Sequence, residues 1–226
     1  MKHSRVVGTA LLYVSALLGA TSLHAADAQL NWHTDSTQPA RFVAVHGRRS
    51  AVFGYSQNKL EMDGLEIWAY PVQVASAYNI AFRQQGTTTE IDGRTVLRRI
   101  QYSPEAVTRV YVGPDFIVRE RLFVPLDSPG ALVSYEVEGV RPVDIVVRFT
   151  PVLNLMWPGG IGGQEVAWNA AASGYWLSEP LRRYTALIAS PNIIAHDETP
   201  NATRPVGSGQ FTGRGIHTSH RKWSRR

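Results

Sequence analysis

The 226-residue chain contains no cysteine. That excludes a disulfide scaffold, a cysteine nucleophile and any thiolate metal site. Helical patterning is just as scarce. No twelve-residue window after the first 25 residues carries an apolar stripe at helical spacing with recognisable caps. Long apolar runs are missing too. The longest candidate, Val6 to Ala20, is interrupted by Gly8, Thr9, Ser15 and Gly19 and is too short for a comfortable membrane span. A basic body is also lacking, although the formal net charge is +5. Lys2 and Arg5 sit near the start, and Arg204, Arg214, Arg221, Lys222, Arg225 and Arg226 follow the last acid, Glu198. Setting those eight aside leaves 15 basic side chains against 18 acidic ones, a net of −3. A nucleic-acid-binding domain needs a basic face on its folded body, and none is visible here.

The opening residues read as a secretory signal. Lys2 and Arg5 form a positive region, the apolar core follows, and small residues lead to Leu23-His24-Ala25. Cleavage is expected after Ala25 or Ala26. No twin arginine precedes the core and no cysteine follows it, which argues against folded-state export and lipid anchoring. The expectation is an exported protein, periplasmic or extracellular, with residues 26–40 as a polar leader. The remaining length suits a single domain with one core.

From Arg41 to about Pro191 strand signals recur roughly every ten residues, as in a sandwich or barrel. Val72, Val74, Tyr78, Ile80 and Phe82 share one parity, against Gln73, Asn79 and Arg83. Phe116, Val118, Leu122 and Val124 oppose Arg119 and Arg121. Ala131, Val133, Tyr135 and Val137 oppose Ser134, Glu136 and Glu138. Val143, Ile145, Val147 and Phe149 oppose Asp144 and Arg148. A period of two means one buried and one wetter face per strand. Asp92-Gly93 suits a tight hairpin, and Gly113-Pro114-Asp115, Asp127 to Gly130 and Gly139 to Pro142 are further turns. These features predict an all-β, antiparallel sandwich of ten to twelve strands over residues 41–191, followed by a basic, disordered tail at 192–226. An outer-membrane barrel would need an uncharged lipid face. Arg98, Arg99, Arg119, Glu120 and Arg121 place charge on both parities and argue against it.

The segment Leu153 to Leu177 holds three of the six tryptophans, with Tyr175, Asn154, Asn169 and Gln164 close by. Flat rings and amides together complement the apolar faces and hydroxyl rims of sugars. Trp157, Trp168, Trp176 and Asn169 are therefore the candidate carbohydrate contacts. The competing reading is that these rings fill the sandwich core. Pro158 through Gly163 is a Gly-rich loop without the helix and Lys-Ser/Thr that a phosphate loop needs. Acid pairs for glycoside hydrolysis cannot be chosen among Glu61, Asp63, Glu66, Glu105, Asp115, Glu120, Glu165 and Glu179. Most of these are expected on solvated positions, with Glu120 in cross-strand ion pairs. His33 and His46 stand alone, and His217 and His220 lack helix support and a carboxylate partner, so no metal or cofactor site is expected. Ser56 to Lys59 has serine–lysine spacing without the companion motifs. Asn201-Ala202-Thr203 matches a short glycosylation pattern.

The strings EIWAYPVQV (66–74), TTTEIDGRTVLRRIQYSPEAVTRVYVGPDFIVRERLFVPLD (87–127) and PGALVSYEVEG (129–139) resemble one kind of domain. It is the N-terminal β-sandwich of bacterial glycogen-debranching-type enzymes, the amylo-α-1,6-glucosidase and glucoamylase-like glycoside hydrolases. VRFTPVLNLMWPGGIGGQ (147–164) and GYWLSEPLRRYTALIASP (174–191) look similar as well. The resemblance implies a supersandwich-like domain that precedes a catalytic (α/α)6 barrel bearing the paired carboxylates. No family catalytic residue maps onto this sequence. The expectation is a non-catalytic, carbohydrate-active fragment of an α-glucan-processing hydrolase, truncated before its barrel, with an oligosaccharide and that barrel as partners. The alternative is a standalone extracytoplasmic carbohydrate-binding or adhesion domain.

Overall fold

The computed structural model describes residues 32–35, 42–56, 64–156, 164–200 and 209–216. Sixteen strands and one short helix lie among them. They are β1 (Trp32–Asp35), β2 (Phe42–His46), β3 (Ser50–Tyr55), β4 (Leu65–Ala69), β5 (Val72–Gln84), β6 (Ile91–Asp92), α1 (Gly93–Val96), β7 (Leu97–Tyr102), β8 (Ala106–Val112) and β9 (Phe116–Phe123). Then come β10 (Leu132–Gly139), β11 (Val143–Leu155), β12 (Glu165–Asn169), β13 (Gly174–Ser178), β14 (Thr185–Ala189), β15 (Ile193–Pro200) and β16 (Gly209–Ile216). The fold is all-β, as the alternation predicts.

Three antiparallel sheets form. A five-stranded sheet runs β1-β7-β8-β9-β10. A larger one runs β15-β16-β11-β5-β4-β3-β2, with β6 beside β5. A small sheet runs β12-β13-β14. Aromatic contacts show how they face. Phe82 on β5 meets Tyr111 on β8 at 5.2 Å and Phe116 on β9 at 5.1 Å between ring centres. Phe149 on β11 meets Tyr175 on β13 at 6.0 Å. The five-stranded and three-stranded sheets thus both pack against the large sheet, and their inward side chains merge into one apolar core. All five β5 residues assigned to one parity, Val72 to Phe82, are buried, as are Phe116, Val118, Leu122 and Val124.

Sequence and structure part in three places. Residues 41–191 hold thirteen strands, β2 to β14, close to the expected ten to twelve with the two-residue β6 among them, but β1 forms within the expected polar leader. Asp92-Gly93 does not turn a hairpin. Asp92 instead caps α1, its carboxylate accepting the Arg94 main-chain N–H at 2.9 Å, and the segment carries the chain from the large sheet to β7 in the five-stranded one. The sandwich also does not end at residue 191. Within the stretch expected to be a disordered tail, β15 and β16 pair with each other, and β16 pairs with β11, Phe211 lying opposite Phe149. Gly209, Gly213 and Gly215 in β16, with Pro200 in β15, hide the strand signal, because these residues are poor strand formers. His217, His220 and Asn201 lie outside the described residues.

Two compensating bulges shape the β5–β11 pair. Between Arg148 and Thr150 the ladder takes an extra β5 residue, where Ala77 has φ 53°. Between Pro151 and Asn154 it takes an extra β11 residue, where Leu153 has φ 45°. A bulge bends its strand and re-aims neighbouring side chains. Tyr78, next to the first bulge, points inward.

The β2–β3 turn docks on the loop after β9. The Arg48 N–H donates to the Leu126 carbonyl at 2.7 Å, and the Gly130 N–H donates to Ser50 Oγ at 2.5 Å. The approach leaves no room at Gly47, where a Cβ would fall 2.1 Å from the Pro125 carbonyl oxygen. Gly47→Ala should cost about 1–3 kcal/mol through forced backbone movement. Urea unfolding should show a lower midpoint with an unchanged slope.

Candidate carbohydrate-facing surface and a buried charge network

The three-stranded sheet carries most of the candidate contacts. Its β12–β13 turn is closed by Asn169, whose Oδ1 accepts the Ala172 N–H at 3.0 Å. Register then sorts the side chains. Trp168 lies opposite Tyr175, which lies opposite Ile188, and all three pack toward the core. Ala167, Trp176 and Leu187 form the adjacent row on the other face. Trp176 is 43% exposed and Leu187 47%. Trp168 instead stacks on His196, with ring centres 3.8 Å apart and planes at 13°, and meets Tyr175 edge-on at 5.1 Å.

The candidates therefore do not form one surface. Trp176 faces solvent, Trp168 braces the inner side, and Asn169 is engaged in a turn. Trp157 lies outside the described residues, as does the Gly-rich loop. The cause is the period of two: Trp168 and Trp176 occupy neighbouring register rows, which point to opposite faces. Gln164 joins the small sheet to β11 by donating Nε2 to the Pro151 carbonyl at 2.8 Å.

Five of the candidate acids have local partners, whereas Glu165 is exposed at the start of β12. Glu105 pairs with Arg121 and Asp115 with Arg141, each at 3.1 Å. Glu66 accepts the Trp68 indole N–H at 2.7 Å. Glu179 organises the β13–β14 connection, accepting main-chain N–H groups from Arg183 and Leu181 and the Arg183 guanidinium. Desolvation pushes its carboxyl up, but these donors outweigh that and hold it below the usual carboxylate range. Glu61 and Asp63 lie outside the described residues.

Glu120 is the exception to the solvated expectation. It does form a cross-strand ion pair, but inside the core and not with its flanking arginines. Its side chain is 0% exposed and that of Arg109 4%. The two residues are direct partners on β8 and β9, and Arg109 Nε donates to Glu120 Oε2 at 2.5 Å. Tyr111 Oη donates to the same oxygen at 2.9 Å. Tyr78 Oη, from the opposing sheet, donates to Oε1 at 2.6 Å. Tyr135, opposite Glu120 on β10, meets the Tyr78 hydroxyl at 2.7 Å. The Arg109 guanidinium lies 5.8 and 5.7 Å from the Tyr78 and Tyr111 ring centres.

Sequence parity carried the signal. Glu120 shares its face with Phe116, Val118 and Leu122, and Arg109 shares its own with Val107 and Tyr111. An ion pair on an apolar face is a buried one. Burial opposes the charge on Arg109, but Glu120 outweighs it and raises the guanidinium pKa above its ordinary value. Burial first, and the Glu120 charge after it, raise the pKa values of Tyr78 and Tyr135. Burial is also the main cause for Tyr111, with Arg109 opposing and Glu120 adding to the rise. Such a network holds sheets together and offers no free acid for hydrolysis.

No family model matches the chain, and no curated protein matches it.

Removing one partner leaves a buried charge uncompensated. Glu120→Gln should cost about 3–5 kcal/mol in urea unfolding, and adding Arg109→Met should recover much of it. The tyrosines set a second expectation. Their folded pKa values lie above the unfolded value, so their stabilisation is complete below about pH 10 and lost as pH rises beyond it. Thermal unfolding across that range should show a steep alkaline fall that Tyr78→Phe makes shallower.

Proposed function

We propose that the chain is the non-catalytic β-sandwich of an exported α-glucan-processing glycoside hydrolase of the glycogen-debranching type. In this reading it binds an oligosaccharide and packs beside a catalytic (α/α)6 barrel. It hydrolyses nothing by itself. The observation that carries the sugar-binding part is Trp176. A tryptophan 43% exposed beside Leu187, on a sheet face fixed from behind by Trp168 and His196, offers a rigid ring to the C–H face of a pyranose. The engagement of Glu105, Asp115, Glu120 and Glu179 with local partners supports the non-catalytic part.

Affinity electrophoresis of the full chain through gels with and without soluble α-glucan tests the reading. The wild-type protein should be retarded, and Trp176→Ala should migrate as it does in the sugar-free gel. A well-folded wild-type protein that is not retarded would overturn it.

A further inference from the structure

The outer face of the large sheet carries a second aromatic surface, far in sequence from the tryptophan-rich segment. On β2, β3 and β4, Val43, Val45, Val52 and Leu65 enter the core. The opposite parity presents Phe42, Phe53, Tyr55, Glu66 and Trp68. Phe42 lies opposite Tyr55, and Phe53 opposite Glu66. Phe42, Phe53 and Trp68 form a diagonal across three strands, with ring centres 6.2 and 6.1 Å apart. Phe53 and Trp68 are inclined by only 12°, and Phe42 is 50% exposed. Tyr55 backs Phe42 edge-on at 5.4 Å.

The polar groups on this strip decide what it suits. Trp68 Nε1 donates to Glu66 Oε2 at 2.7 Å, which fixes the indole and leaves Oε1 without a hydrogen-bond partner among the described residues. Gln73 lies opposite Trp68 on β5, and His46 is exposed on the same face. A purely apolar partner surface would have to desolvate that carboxylate without repaying it. A sugar supplies hydroxyl donors to the carboxylate and C–H faces to the rings at once. The backbone beneath is also braced, because Tyr102 of the opposing sheet donates its hydroxyl to the Phe42 carbonyl at 3.1 Å. A site on paired strands holds its geometry better than one on loops.

The geometry points to an oligosaccharide-binding strip formed by Phe42, Phe53 and Trp68, with the Glu66 carboxylate receiving a sugar hydroxyl. It shares the ligand class of the function proposed above but not its site. Phe42 is the most exposed ring of the strip, and the partly buried Phe53 and Trp68 extend it beside Glu66.

The test is calorimetric titration of the full chain with maltoheptaose and with cellohexaose, alongside the Trp68 indole N–H resonance. At least one oligosaccharide should bind and shift that resonance. Phe42→Ala and Glu66→Gln should each weaken binding about tenfold with the circular dichroism unchanged. Phe42 is half-exposed and Glu66→Gln is isosteric, so both variants should fold. If both bind as tightly as wild type while Trp176→Ala does not, the strip is overturned and the Trp176 surface stands. If neither oligosaccharide binds the folded wild-type chain, both sites are overturned.

Discussion

The ion pair between Arg109 and Glu120 is the constraint on which the sandwich depends. A carboxylate with no exposed surface persists only if its charge is paired and its oxygens are hydrogen-bonded. Here one oxygen takes Arg109 and Tyr111 from the neighbouring strand, and the other takes Tyr78 from the opposing sheet. The network therefore spans the layer gap. A one-residue slip of β9 would send Glu120 to the outside and leave Arg109 charged in the core. Register in the five-stranded sheet and its docking on β5 are fixed together. The bulge at Ala77, beside Tyr78, belongs to the same arrangement, since it sets the strand path where that hydroxyl must reach across.

With the layers fixed, the small sheet and the outer faces become rigid supports. Phe149 and Tyr175 anchor β13 to β11, and Trp168 packs between Tyr175 and His196. Strand alternation then forces the next row outward, which exposes Trp176 beside Leu187. The same rule puts Phe42, Phe53 and Trp68 outside because Val43, Val52 and Leu65 are inside. Both aromatic surfaces follow from packing on the other side of the same strands.

Much of this was legible in the sequence, and the gaps have physical causes. The parities of β5, β9 and β11 read directly, because each has one side in the core. The cross-strand ion pair of Glu120 was legible, but its burial was masked by the charged run Arg119-Glu120-Arg121, although its parity places it with Phe116, Val118 and Leu122. The faces of Trp168 and Trp176 could not be separated without the β12–β13 register, which depends on a turn closed by Asn169. The strands beyond residue 191 were hidden because β16 is rich in glycine and its pairing rests on backbone groups that composition does not report. The Phe42–Phe53–Trp68 diagonal was invisible because it joins three strands whose mutual order only the fold supplies.

The charged network couples the two layers energetically through Tyr78 and Glu120. A double-mutant cycle between Tyr78→Phe on the large sheet and Glu120→Gln on the five-stranded sheet, followed by urea unfolding, measures that coupling directly. The account predicts an interaction energy of about 0.5–3 kcal/mol between the two positions. Strictly additive losses would contradict it and leave Glu120 as a requirement of its own sheet alone.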